Sequence, residues 1–254
     1  MTSLSAFDQG SGPVIMLLHG FPFHKAIWDD FIPLLSDRHR VITVDLPGFG
    51  QSERIAQPFG IRQVADALLE FIDEKKLSKI HIVGHSLGGY VALEMVNKRT
   101  ELFASLTLFH STAYADSDEK KESRLKVVDF VKKNGPVPFA TGFIDPLFAT
   151  PGRPAIEKVR SVAAAASAEA IIGYSLAMKD RAEHIKTLQI FKNPTMFIVG
   201  EKDPGISVES IKKQARYSEK PHIEILEDVA HMGMFEQPAA TAGKIADFVA
   251  KSHV

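Results

Sequence analysis

Apolar residues recur along this chain in two different periods. A continuous apolar run at 14–18 predicts a strand buried on both faces of a sheet, and mostly apolar runs at 41–44, 80–83, 105–109 and 195–199 predict further strands. Residues 3–8 read as a further strand ahead of them, and residues 222–226 alternate as a strand behind them. Between these runs the spacing turns helical. Trp28, Phe31, Leu34 and Leu35 predict a helix over 28–35. Ile61, Val64, Ala65, Leu68, Leu69 and Ile72 recur at three and four and predict an amphipathic helix over 61–76. Ser207 is placed to cap a helix running to Tyr217. A last helix begins at Pro238 and buries Ile245, Phe248 and Val249.

The alternation of strand and helix stops between 113 and 192. That block holds no strand pattern, only helical patterns over 120–133, 154–168 and 170–188 and a Pro- and Phe-rich stretch over 136–148. The expected fold is α/β, a mostly parallel twisted sheet with helices on both faces. Its core is made of residues 1–112 and 193–254, with residues 113–192 as a helical cap over the strand ends. Ligands of such sheets gather at the carboxyl ends of the strands. Here those ends carry His19-Gly20-Phe21, Asp45, Ser86 and His110-Ser111.

Composition narrows the chemistry. The chain has 254 residues, 45% of them apolar, enough for one substantial core. Thirty basic against 31 acidic residues give a net charge of −1, with no excess to attract nucleic acid or an anionic membrane. The absence of cysteine removes disulfides, thiolate metal ligation and a thiol nucleophile. The first stretch, from Met1 to Asp8, lacks the basic and apolar regions of a secretory signal. No apolar run approaches membrane-spanning length. A cytoplasmic protein is expected. His24, His39, His81, His110, His184, His222 and His253 show no metal-ligand spacing, so neither metal nor cofactor is expected.

The chemistry centres on Gly84-His85-Ser86-Leu87-Gly88-Gly89, which follows an apolar strand and opens a helix. A serine at the apex of so tight a turn needs glycines two residues to either side, because side chains there would collide. A similar string, Gly173-Tyr174-Ser175-Leu176-Ala177, follows no strand and reads as ordinary helix. Asp203, in Gly200-Glu201-Lys202-Asp203, and His231, in Ala230-His231, each follow a later predicted strand. Glu201, Glu227 and Asp228 are rival acids, and His19 and His85 read as structural.

With Ser86, Asp203 and His231 in that order, the chain resembles the alpha/beta-hydrolase family, carboxylesterases and enol-lactonases among its members. His19-Gly20-Phe21-Pro22, Asp45-Leu46-Pro47-Gly48-Phe49-Gly50-Gln51-Ser52 and Glu236-Gln237-Pro238 add to the match. The resemblance spans the whole length and implies a serine hydrolase that needs no cofactor and cleaves a small carboxylic ester or lactone. In it Ser86 is the nucleophile, His231 its base and Asp203 the acid that orients the base. The backbone N–H groups of Phe21 and Leu87 would form the oxyanion hole. Phe109, Phe139, Phe143, Tyr174, Met178 and Met232 are candidates for an apolar pocket. Arg124, Arg153, Arg160 and Arg181 could bind a substrate carboxylate or be solvated helix residues. A carbon–carbon bond hydrolase or lyase of the same superfamily, or a small-molecule receptor that retains the triad, are the alternatives. The oligomeric state is left open.

Overall fold

The structure, a computed structural model, describes residues 2–252; Met1 of the amino-terminal stretch and His253 of the histidine set lie outside the described residues. In the first half the chain runs β1 (Ala6–Gln9), β2 (Val14–Leu18), α1 (Pro33–Ser36), β3 (Arg40–Val44), α2 (Ile61–Glu74), β4 (Ile80–His85), α3 (Leu87–Lys98) and β5 (Phe103–Phe109). Helices α4 (Asp118–Asn134), α5 (Pro136–Ile144), α6 (Pro154–Ala164), α7 (Ala168–Lys179) and α8 (Ile185–Ile190) follow without a strand. The sheet resumes with β6 (Thr195–Gly200), α9 (Val208–Ala215) and β7 (Pro221–Leu226), and the chain ends in α10 (Gly233–Glu236) and α11 (Pro238–Lys251).

The seven strands form one sheet in the order β1-β3-β2-β4-β5-β6-β7. Only β1 is antiparallel to its neighbour. Successive residues of each inner strand point into opposite cores. Met16, Leu18, Ile82, Phe197 and Val199 enter one layer, while Ile15, Leu17, Val83, Met196 and Ile198 enter the other. That two-sided burial is why these strands read as mostly apolar runs without a polar face. Leu18 lies opposite Gly84, His85 opposite Phe109, and Phe109 opposite Ile198. The loops leaving β2, β4, β5 and β6 therefore start at one level, on one rim.

Several elements depart from the sequence pattern, among them the helix expected over 170–188, which is broken at 180–184 into α7 and α8. In place of a helix over 28–35 there is a 3-10 turn at Lys25–Trp28 and the single turn α1. Pro33 has no N–H to extend a helix and instead starts the new turn. Trp28, Phe31 and Leu35 are buried as expected, but Leu34 is 45% exposed. The first strand is Ala6–Gln9 rather than 3–8, because the carbonyls of Ser3 and Ser5 pair outside the ladder, with the amides of Glu53 and Asp45. The expected loop at 227–234 runs into the short helix α10.

Ile82 lies fully buried in β4, paired with Met16 on one side and Leu106 on the other. Truncation to Ala should leave a cavity in the middle of the sheet. We expect a loss of about 2–5 kcal/mol, read as a lower urea midpoint at unchanged slope.

Candidate active site

Ser86 joins β4 to α3 with φ 51° and ψ −113°, a strained conformation for any residue with a side chain. Neighbouring backbone enforces it. A Cβ on Gly84 would lie 2.4 Å from the Gly88 carbonyl oxygen, and one on Gly88 would lie 2.4 Å from the Leu18 carbonyl oxygen. The turn is tied to β5: the Ser86 amide donates to the Phe109 carbonyl at 2.9 Å, and the Ser111 hydroxyl donates to the Ser86 carbonyl at 2.8 Å. The amides of Leu87 and Phe21 have no acceptor among the described residues. Leu87 opens α3, so its N–H is one of the free donors of a helix start. Ser175 of the similar string sits fully buried inside α7, away from any strand end.

Asp203, on the loop after β6, is fully shielded from solvent and makes four hydrogen bonds. Its Oδ1 accepts from the amides of Gly205 and Ile206 at 2.9 and 3.0 Å. Its Oδ2 lies 2.7 Å from His231 Nδ1 and 2.9 Å from His110 Nδ1. Burial alone would raise this carboxyl. The field of His231 and the bonds from His110 and His231 outweigh burial and hold it well below the usual carboxylate range. Asp203 is thus an anion throughout the neutral range. His231 turns Nδ1 to Asp203, which leaves Nε2 free on the opposite side of the ring. His231 and Ser86 line one cleft, and the Ser86 hydroxyl makes no hydrogen bond among the described residues.

His110 is the residue that the sequence reading missed in this role. It follows β5 with φ 49°, and its ring is wholly buried. Nε2 accepts from the Gly233 amide at 3.2 Å, which puts the proton on Nδ1 and aims it at Asp203. The Gly200 amide also approaches Nδ1, at 3.3 Å, and favours the other tautomer. The shorter, charge-assisted bond to the carboxylate is the stronger of the two. Ligating atoms of His110, Asp203 and His231 lie within 4.8 Å of one another. Two imidazole N–H groups converging on one carboxylate account for that cluster by hydrogen bonding.

The loop carrying His231 is braced by Glu236. Its Oε1 accepts from the Ala230 amide and its Oε2 from the Ala149 amide, both at 2.8 Å, and the His231 amide donates to the Leu147 carbonyl. His85 donates from Nε2 to the His231 carbonyl at 3.0 Å. His19 accepts the Leu46 amide at Nε2 and donates from Nδ1 to the Gly20 carbonyl. Asp45 gathers the Lys25 and Gln51 amides and the Lys25 ammonium. These three residues satisfy backbone groups, as the sequence suggested.

The cleft has a volume of about 430 Å³, within the range of small-molecule sites. Its walls come from α4, from α5 and the turn after it, and from the loop after β6. Of the six residues expected to form an apolar pocket, Phe143 lines the cleft. Phe139 stacks on Phe143 from behind and touches Phe21. Phe109 and Met232 lie in one core layer, beneath the site. Tyr174 and Met178 lie in the other, where the Tyr174 hydroxyl donates to the Pro47 carbonyl. Arg153 donates to the Glu236 carbonyl, Arg160 pairs with Glu157 and Asp145, and Arg181 is buried beside Asp116.

A family model described as the alpha/beta hydrolase family matches residues 15–244. A thermophilic esterase from Thermogutta terrifontis superposes with a TM-score of 0.94 at 31% identity, over 100% of this chain and 95% of that one. The enol-lactonase from Burkholderia xenovorans LB400 superposes at 0.90 with 20% identity, over 98% and 97% of the two chains, which is a likeness of fold. A pimeloyl-[acyl-carrier protein] methyl ester esterase from Methylococcus capsulatus is 42% identical over 104 residues. That match spans 41% of this chain and 39% of the esterase, so less than half of its length is shared.

Two predictions follow from the histidines. Burial holds His19 down to about 4, against about 6.5 for a free imidazole. Between those values the unfolded chain binds a proton that the folded chain does not. Stability should therefore be full above about pH 6.5 and fall toward pH 4, by about 1.4 kcal/mol per unit for each such ring. His85 and His110, also held down by burial, add in the same direction. Urea midpoints at pH 5 should lie below those at pH 7. Separately, His110→Phe removes one donor from Asp203 and leaves its charge to His231 alone. The acid limb of kcat/KM should then move to higher pH, whereas His110→Asn, which keeps an N–H for Asp203, should leave it nearly in place.

Proposed function

The chain belongs to the alpha/beta hydrolase family, and on that premise we propose that it is a serine hydrolase that cleaves a small carboxylic ester or lactone through an acyl-enzyme. The observation that carries the reading is the His231–Asp203 bond at 2.7 Å, with Ser86 on the same cleft as the far side of that imidazole. In the reaction His231 Nε2 takes the Ser86 proton as Oγ attacks the ester carbonyl. The tetrahedral oxyanion is met by the free amides of Phe21 and Leu87, donors of a kind worth about 3 kcal/mol each. His231 then passes its proton to the leaving alkoxide, and the acyl group stays on Ser86. Water attacks the acyl-enzyme with His231 taking its proton, and His231 returns that proton to Ser86 Oγ as the carbonyl–Oγ bond breaks and the acid is released. Asp203 holds the tautomer and stabilises the imidazolium in both halves.

Residues 113–192 act in this reading as a cap. Its support is that α4 and α5 supply two walls of the cleft, while Ser86 and His231 rise from sheet loops. The relatives lend esterase chemistry by analogy, since the Thermogutta protein carries that name and aligns along nearly its whole length. The occupant is read as a small molecule from the volume of the cleft.

A chromogenic short-chain ester should be turned over continuously, with the rate abolished in Ser86→Ala and falling on acidification as His231 takes up a proton. A fluorophosphonate should label the wild-type chain and not the Ser86→Ala variant. One slow turnover followed by silence would instead mark a receptor, and undiminished activity in Ser86→Ala would remove the nucleophile from this scheme.

A further inference from the structure

The cleft around Ser86 is lined by two cations, Lys120 and Arg124, and by no carboxylate. Both come from α4, four residues apart on one helix face, an arrangement of like charges that opposes helix stability. Their neighbours on the first turns of the helix are paired, Lys121 with Asp118 and Lys126 with Glu122, while Lys132 and Lys133 lie in the last turn, away from the cleft. Among the described residues the Lys120 ammonium donates to the Gly205 carbonyl, at 3.0 Å, and pairs with no carboxylate.

The charge on Arg124 is not neutralised within the fold either. Its Nε donates to Asp116 at 3.2 Å, but the buried Asp116 carboxylate already lies 2.6 Å from Arg181. Arg181 is itself almost wholly buried and stacks 3.9 Å from the centre of the Tyr90 ring. One carboxylate thus faces two guanidinium groups, and the outer one has surplus charge. The bond through Nε fixes the Arg124 plane, while both terminal nitrogens have no partner among the described residues. A fixed guanidinium with two free, parallel N–H groups matches the two oxygens of a carboxylate.

We infer that Arg124, assisted by Lys120, forms a carboxylate subsite, and that the substrate is an ester carrying a second, ionised carboxyl group. The inference rests on the hydrolase reading above and narrows its substrate class. The ester carbonyl sits at Ser86, and the charged end lies against α4. The low-acid lining of the cleft concentrates such anions at its mouth, an effect that added salt weakens.

The test compares kcat/KM for methyl half-esters of dicarboxylic acids, from succinate to suberate, with methyl esters of the matching monocarboxylic acids. O-acetyl hydroxy acids of the same lengths tell whether the charge belongs on the acyl or the alcohol side. In the unaltered chain at least one anionic series should be preferred by about tenfold or more at low salt, the worth of one charge-assisted contact. The preference should shrink in sodium chloride and collapse toward parity in Arg124→Gln, with Arg124→Lys between the two. Lys120→Gln, on an exposed side chain, should reduce it without disturbing the Asp116 network. A preference at or below parity in the unaltered chain, with neutral esters turned over, would overturn the subsite and leave the hydrolase reading intact. If no ester is turned over, titration calorimetry with adipate decides. Binding that is lost in Arg124→Gln supports the subsite without the hydrolase reading, and absence of binding to the unaltered chain overturns it.

Discussion

One buried carboxylate organises the rim of this sheet. Asp203 carries a full negative charge away from solvent, which is tolerable only because four donors surround it. Those donors come from three strand ends: His110 after β5, the Gly205 and Ile206 amides after β6, and His231 after β7. The backbone helps bring them together, since the amides of Glu201 and Lys202 donate to the carbonyls of Leu226 and Val229. Removing any one donor would leave the others to carry a charge that the protein interior does not otherwise stabilise. The catalytic-looking pair and the packing of the sheet edge are therefore one construction.

Much of this was legible along the chain. The inner strands were readable because both their faces are buried, so most residues of each run are apolar and the few polar ones, such as Thr43 and Thr107, are buried too. The elbow was readable because its steric demand falls on two fixed positions. A Cβ on Gly84 or Gly88 would lie 2.4 Å from a backbone carbonyl oxygen that no side-chain adjustment could clear. The helix of 61–76 was readable because its six predicted core positions all face one layer. In each case the cause is local or periodic, and a local cause leaves a mark in a single sequence.

What was not legible depends on contacts between distant residues. His110 looked like any histidine beside a turn, because the carboxylate it touches is 93 positions away. The apolar side chains expected in the pocket were of the right chemical type, yet Tyr174 and Phe109 pack into the two cores. Hydrophobicity predicts burial and does not say whether the burial is against protein or against a ligand. Among the four arginines considered for a carboxylate, composition gave no ranking. Only the shared use of Asp116 by Arg124 and Arg181 separates a buried, charge-paired guanidinium from one with charge to spare.

The two charge arrangements of the site work in opposite dielectric regimes, and that division is itself informative. Beneath the cleft, His85, His110 and His19 are held neutral by burial, so Asp203 acts on His231 without competing positive charge from these rings. At the mouth, Lys120 and Arg124 stand partly in solvent, where attraction is weaker, reaches further and responds to salt. A positive charge placed as deep as His110 would weaken the Asp203 field at His231. The same charge placed on α4 can hold an anion while leaving that field intact. In the proposed reading, holding a substrate and activating Ser86 are separated by depth: neutral rings around the Asp203 carboxylate below, cations partly in solvent above, with Ser86 between them.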